Sequence, residues 1–165
     1  MARFIQLVVI GITLLLCVGC DQATKAIAKE HLPRNEALSF AHDTVRLQYA
    51  ENRGVFLSIG ASLPDKTRDL LFTVGIGVIV SGILGYLLFA PALPQSTTIA
   101  LSLIAGGGLS NLIDRIVYGG YVVDFLNIGL GSLRTGIFNI ADVTIMVGAI
   151  YLLARSLIHE RKAGF

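Results

Sequence analysis

The sequence predicts a mainly α integral membrane protein: four transmembrane helices with a small β-sheet at one end of the bundle. Composition is the first observation. Of the residues, 54% are hydrophobic and 15% charged, with a mean hydropathy of +0.74, too apolar for a chain whose whole surface must be hydrated. The second observation is four apolar segments, 4–19, 70–93, 99–113 and 137–157; the second and fourth easily reach the roughly 20 residues needed to cross a bilayer. The third is an alternating stretch, 44–49, in which Val45, Leu47 and Tyr49 share one face of a strand.

The first span is expected over about 4–25, at full length only if Asp21 and Lys25 sit at or just inside the membrane boundary. Arg3, the apolar run and Gly19 before Cys20 look like an export signal ending in a lipidated cysteine. The residues after Cys20 favour an uncleaved helix instead. Ala23, Lys25, Ala26, Ile27, Ala28, Lys29 and Glu30 are mostly good helix formers, no breaker appears before Pro33, and Cys17 stands where such signals usually carry leucine.

An excursion over about 30–68 holds the alternating strand, the Asn52-Arg53-Gly54 turn signal and a second apolar run, Val55 to Ile59. Together they suggest a small sheet on the membrane surface. The second span, about 69–91, starts near Ser62, Pro64 and Asp65, with Pro64 where its missing N–H costs nothing. Gly77, Ser81 and Gly85 form a stripe that lets another helix approach closely. The third span, about 97–114, contains Gly106, Gly107 and Gly108, which read as packing residues or as room for a bound chain. A second excursion, about 116–136, reads as a turn at Gly119-Gly120 between two apolar arms and delivers Asp124. The fourth span runs over about 138–158.

Four spans put both termini on one side, and Arg3, Arg155, Arg161 and Lys162 fit a cytoplasmic placement. Lys29, Arg34, Arg46, Arg53, Lys66, Arg68 and Arg134 in the opposite loops weaken that argument. A net charge of +2 gives no reason to invoke nucleic acid. His31, His42 and His159 share no metal-ligand spacing, so no metal and no cofactor is expected. The two cysteines are read as packing residues.

Ionisable groups at membrane depth mark function or an essential pair. Asp21 and Lys25 share a helix face, as do Asn111, Asp114 and Arg115, and as do Asn139 and Asp142. Asp124 and Asp142 arrive from different elements. Metal-free peptide hydrolysis needs one carboxylate to take a proton from water and one protonated carboxyl to polarise the carbonyl, and two close carboxyls share a proton. Asp142 is equally readable as the partner of Asn139 in a helix cap. The alternatives are a small transporter or channel using intramembrane Asp and Arg, and a Ser/Lys hydrolase pairing Ser58 with Lys25 or Lys66. Gathering of the polar groups at one end favours a surface site over a channel.

The chain resembles the lipoprotein signal peptidases, the bacterial type II signal peptidase family of membrane aspartyl proteases. The resemblance lies in DQATK (Asp21, Lys25), NRG (Asn52, Gly54), GGGLSNLIDR (Gly107, Gly108, Asn111, Asp114, Arg115), VVDF (Asp124) and FNIAD (Asn139, Asp142), in the family's order. It implies an aspartic endopeptidase with Asp124 and Asp142 as the catalytic pair. Asn52, Gly54, Asn111, Arg115 and Asn139 would bind substrate or orient the aspartates, and Asp21, Lys25, Gly108 and Asp114 would give structural support. The implied substrate is a diacylglyceryl-modified prolipoprotein, cut on the amino side of its lipidated cysteine, and globomycin-type cyclic peptides are the implied inhibitors. The implied place is the bacterial inner membrane, in contact with membrane lipid, with the site near the periplasmic face, a periplasmic β-sheet and a short periplasmic surface helix. Two positions depart from the family: Val55, Phe56 and Leu57 follow NRG, altering the pocket wall, and Ser110 stands where glycine is usual, tightening local packing.

Overall fold

The structure, a computed structural model, describes residues 1–54 and 64–163, the last five of these without their side chains. Its elements are α1 (Ala2–His31), β1 (Leu38–Phe40), β2 (Val45–Asn52), α2 (Asp65–Phe89), α3 (Gln95–Val117), β3 (Val122–Leu130), β4 (Leu133–Arg134) and α4 (Ile140–Ala163). All four helices are long and apolar enough to cross a membrane. The first runs unbroken through Cys20, carrying Asp21 and Lys25 on its buried face. Val55 to Ile59, Ser58 and Ser62 lie outside the described residues. No surface helix lies among the described residues.

α3 is the central helix and packs against the other three. It is also the most buried span, which explains why it tolerates so many polar residues: its neighbours are protein rather than lipid. Its glycines make that possible. Successive helical residues point about 100° apart, so Gly106, Gly107 and Gly108 each meet a different helix. A Cβ at Gly106 would stand 2.7 Å from Cys17 of α1, one at Gly108 2.7 Å from Val80 of α2, and one at Gly107 would overlap the Ala141 carbonyl and Thr144 of α4. The expected Gly77/Ser81/Gly85 stripe does not play this role: a Cβ at Gly77 would meet only Leu112, at 3.8 Å, and one at Gly85 would meet nothing. α2 is the helix brought close, and the glycine that admits it, Gly108, is on α3.

Away from the polar cluster, α1 closes the C-terminus of α2. Arg3 donates to the carbonyls of Leu87, Leu88 and Ala90. Gln6 donates to Leu87 O at 3.0 Å and accepts from Leu93 N–H at 2.9 Å. These contacts satisfy helix-end carbonyls that lipid cannot.

At the other end the strands form one antiparallel sheet in the order β1-β2-β3-β4. The expected strand is β2, whose main partner is β3, with Val45 opposite Ile128 and Asn52 opposite Val122. The apolar arm before Gly119-Gly120 is the last turn of α3, so that turn joins a helix to a strand and is not a β-hairpin. A register shift between Leu47 and Ala50 re-aims the end of β2, as bulges do, and sets Ala50 opposite Asp124. On the sheet, Arg46 and Ser39 donate to Asp43, and this Arg46 guanidinium holds the carboxyl well below the usual aspartate range.

Candidate active site

The polar residues of five elements converge at the sheet end of the bundle. Asp124 on β3 is 1% exposed and Asn139, immediately before α4, is 0% exposed. Asn139 Nδ2 donates to Asp124 Oδ1 at 2.6 Å. The same residue caps α4: Asp142 N–H donates to Asn139 Oδ1 at 2.9 Å, and Asn139 N–H donates to Asp142 Oδ2 at 3.1 Å. This is the reciprocal capping geometry. It occupies only Oδ2 of Asp142, leaving Oδ1 to accept from Asn111 Nδ2 at 3.0 Å. Helix capping and membership of the cluster therefore coexist in Asp142.

Asn52 reaches Asp124 from the sheet. Gly54 N–H donates to Asn52 Oδ1 at 2.9 Å, which turns the amide so that Nδ2 donates to Asp124 Oδ2 at 2.9 Å. Gly54 has φ +94°, and a Cβ there would stand 3.0 Å from Phe72 and 3.1 Å from Arg115 Nη1. The turn therefore needs glycine for both conformation and space.

Arg115 is 7% exposed. Its Nη1 donates to Gly120 O at 2.9 Å, and its Nε has no hydrogen-bond partner among the described residues. Gly120, at φ +106°, lies so close to Asp69 of α2 that any Cβ would overlap it. Tyr118 and Tyr121 stack across this turn with centroids 5.2 Å apart, and Lys29 lies 4.0 Å over the Tyr118 ring.

Behind the aspartates is a buried ionic cluster. Lys25 Nζ lies 2.6 Å from Asp21 Oδ2 and 2.9 Å from Asp114 Oδ2, and donates to Asn111 Oδ1 at 2.8 Å. All three ionised groups are at most 3% exposed. Asp21 Oδ1 accepts from Ala141 N–H at 2.8 Å and Asp114 Oδ2 from Val123 N–H at 3.1 Å. Those are the residues immediately before Asp142 and Asp124.

Burial pushes the Asp124 carboxyl up to about 7; hydrogen bonds from Asn52 and Asn139 and the charge of Lys25 pull it down, while the charge of Asp142 raises it further. One carboxyl that keeps its proton near neutrality beside a second acid is the pairing that metal-free hydrolysis uses.

The sequence profile of the signal peptidase II family matches residues 13–158. The chain belongs to the signal peptidase II family. Membership makes it a peptidase and, with its four apolar helices, a bacterial multi-pass membrane protein. Among signal peptidase II proteins, the lipoprotein signal peptidase of Sphingopyxis alaskensis is 39% identical over 150 residues, covering 87% of this chain and 82% of that protein. That of Streptococcus pneumoniae is 36% identical over 152 residues, covering 92% and 94%. A solved bacterial membrane enzyme, determined at 1.9 Å by the in meso method, superposes with a TM-score of 0.77 over 90% of this chain and 92% of its own, at 23% identity. That likeness speaks for the fold.

The structure brings Asp21, Lys25, Asn52, Asn111, Asp114, Asp124, Asn139 and Asp142 into one hydrogen-bonded cluster, with Gly54 beside Arg115 and Gly107 against α4, whereas Gly108 packs on Val80 of α2. Two members were missed, Gln22 and Ser110. Ser110 does not merely tighten packing: its hydroxyl donates to Asp21 Oδ2 at 2.7 Å. Gln22 donates to Asp114 Oδ1 at 2.7 Å. The available signal was helical spacing, since Ser110 lies four residues before Asp114 on one face and Gln22 is a further polar residue inside an apolar span.

Proposed function

We propose that this chain is an aspartic endopeptidase that removes signal peptides from diacylglyceryl-modified prolipoproteins by cleaving on the amino side of the lipidated cysteine. Asp124 and Asp142 act as the pair. The observation that carries this reading is Asn139, which binds Asp124 through its amide and Asp142 through its helix cap. In the reaction Asp142, held in the first turn of α4 where the helix dipole favours negative charge, takes a proton from water as the oxygen bonds to the scissile carbonyl carbon. Asp124, protonated, donates to the carbonyl oxygen. Collapse of the resulting diol breaks the C–N bond and passes a proton to the leaving cysteine amine.

Asn52 and Asn111 hold the two carboxyls in orientation. Arg115, whose Nε has no partner among the described residues, binds a backbone carbonyl of the substrate, and the acyl chains enter sideways from lipid between helices. The termini are cytoplasmic and the site faces the periplasm.

The test is purified protein incubated with a prolipoprotein in its diacylglyceryl-modified and unmodified forms. Cleavage of the modified form alone, unaffected by chelators and lost in Asp124→Asn and Asp142→Asn, is the expected result. Wild-type turnover by either folded variant would remove the pair from the chemistry. Substrate-dependent flux in liposomes without a cut product would point to transport.

A further inference from the structure

We propose that Gln22 and Ser110 are positioning residues for the aspartate pair, acting through the carboxylates of Asp114 and Asp21; the inference rests on the Asp124/Asp142 reading of the site. Neither touches Asp124 or Asp142 directly. Each holds a carboxylate that in turn holds the backbone beside one member of the pair.

On one side, Asp21 grips Ala141 N–H with Oδ1, and its Oδ2 is fixed by Lys25 and by the Ser110 hydroxyl at 2.7 Å. On the other, Asp114 grips Val123 N–H with Oδ2, which Lys25 shares, and its Oδ1 receives Gln22 Nε2 at 2.7 Å. Gln22 Nε2 also lies 3.0 Å from Ser110 Oγ, so one amide and one hydroxyl tie the two arms together. The cluster holds two carboxylates and one ammonium, an excess of one negative charge in a site where Asp21, Asp114 and Lys25 are all buried. Ion pairing alone leaves that excess unsatisfied, and neutral donors must solvate it. The donors are two backbone N–H groups, the Ser110 hydroxyl and the Gln22 amide. Without Ser110 or Gln22 a carboxylate oxygen is left short of a partner and free to turn, taking Ala141 or Val123 with it.

The consequence is read in the coupling of the pair. Two carboxyls sharing one proton titrate in two well-separated steps because they are close; if one backbone relaxes, the steps draw together. Lys25 and Asp21 on α1 and Arg115 on α3 are the charged groups that act on the pair, with Asp69 on α2 and Asp114 on α3 acting on Arg115, and substitution at Gln22 or Ser110 removes none of these charges.

The experiment is the pH profile of turnover for the full-length enzyme on lipidated prolipoprotein, comparing Gln22→Met, Ser110→Ala and Ser110→Thr with wild type. Gln22→Met and Ser110→Ala are expected to lower kcat about tenfold, as small misplacements of reacting groups do. KM should stay near wild type, and the acid and alkaline limbs should move closer together. Ser110→Thr, which keeps the hydroxyl, is expected to restore the width. Wild-type width and kcat in both Gln22→Met and Ser110→Ala would overturn the proposal, and so would a kcat loss that only tracks lost folded protein at unchanged width. Failure of the aspartate reading is seen separately, as turnover by Asp124→Asn.

Discussion

Asn139 donates to Asp124 at 2.6 Å while pairing reciprocally with Asp142 through its own backbone N–H and side-chain oxygen, so a single asparagine sets where a strand residue and a helix residue meet. Asn139→Ala removes the amide link to Asp124 and the side-chain half of the cap, and leaves only the backbone N–H on the Asp142 carboxyl. Loss of the side-chain cap costs about 1 kcal/mol, whereas releasing Asp124 from its position beside Asp142 lowers turnover by roughly a hundredfold. Thermal unfolding in detergent and single-turnover cleavage of a lipidated prolipoprotein separate the two effects. Near wild-type cleavage by the alanine variant would show that the asparagine is only a cap.

The Asp124 carboxyl sits at about 7, above the ordinary value near 4, so the folded state holds its proton more tightly than the unfolded chain. The sign comes from linkage. The favourable contribution is complete below about pH 4 and is lost as pH rises toward 7, by roughly 1.4 kcal/mol for each pH unit crossed. Asp124→Asn is neutral at every pH. It should be inactive, and its stability relative to wild type should rise between pH 5 and 8, while wild-type turnover should fall as pH rises through about 7. Unfolding and turnover measured from pH 5 to 9 check both limbs, and a stability difference between variant and wild type that does not move in the variant's favour as pH rises contradicts the sign.

Lys25 is the hub of the buried cluster, 2.6 Å from Asp21 and 2.9 Å from Asp114. Lys25→Met strands two carboxylates in the bundle, and breaking a buried pair by removing one partner costs about 3–5 kcal/mol. The exposed pair Arg34–Glu51, at 3.7 Å, supplies the contrast: Arg34→Met should cost about 1 kcal/mol or less. Detergent unfolding of the two variants should separate them clearly, and a small effect at Lys25 would mean that the cluster is not stabilised by its ammonium.

The four helices were legible because lipid imposes a length and an apolarity that composition shows directly. The polar cluster was legible for a related reason: Asp21, Lys25, Asn111, Asp114, Asn139 and Asp142 stand out against apolar surroundings and repeat at helical spacing. The two short strands, β1 and β4, were not anticipated, since three- and two-residue strands have no period to read. Gly77 and Gly85 do not mark a close helix contact, because a small-residue stripe states that approach is allowed and not which helix accepts it. Ser110 shows the same limit for polarity, since its partner Asp21 is 89 residues away in the chain and spacing cannot reveal contacts between helices.

Gly107 gives the sharpest test of how packing and chemistry are joined. A methyl group there would press on the Ala141 carbonyl, the Thr144 hydroxyl and Ile145, all in the first two turns of α4. Ala141 is the residue whose N–H is held by Asp21, and Asp142 comes next in the chain. Backbone cannot yield as a flexible side chain can, so Gly107→Ala must push α4 outward, at about 1–3 kcal/mol for an overpacked site. Gly108→Ala carries a similar packing cost but presses on Val80 of α2, away from both aspartates. The two variants should therefore unfold at similar temperatures and differ in cleavage, with Gly107→Ala losing far more kcat than Gly108→Ala. Equal losses would mean that α4 does not transmit the displacement to Asp142.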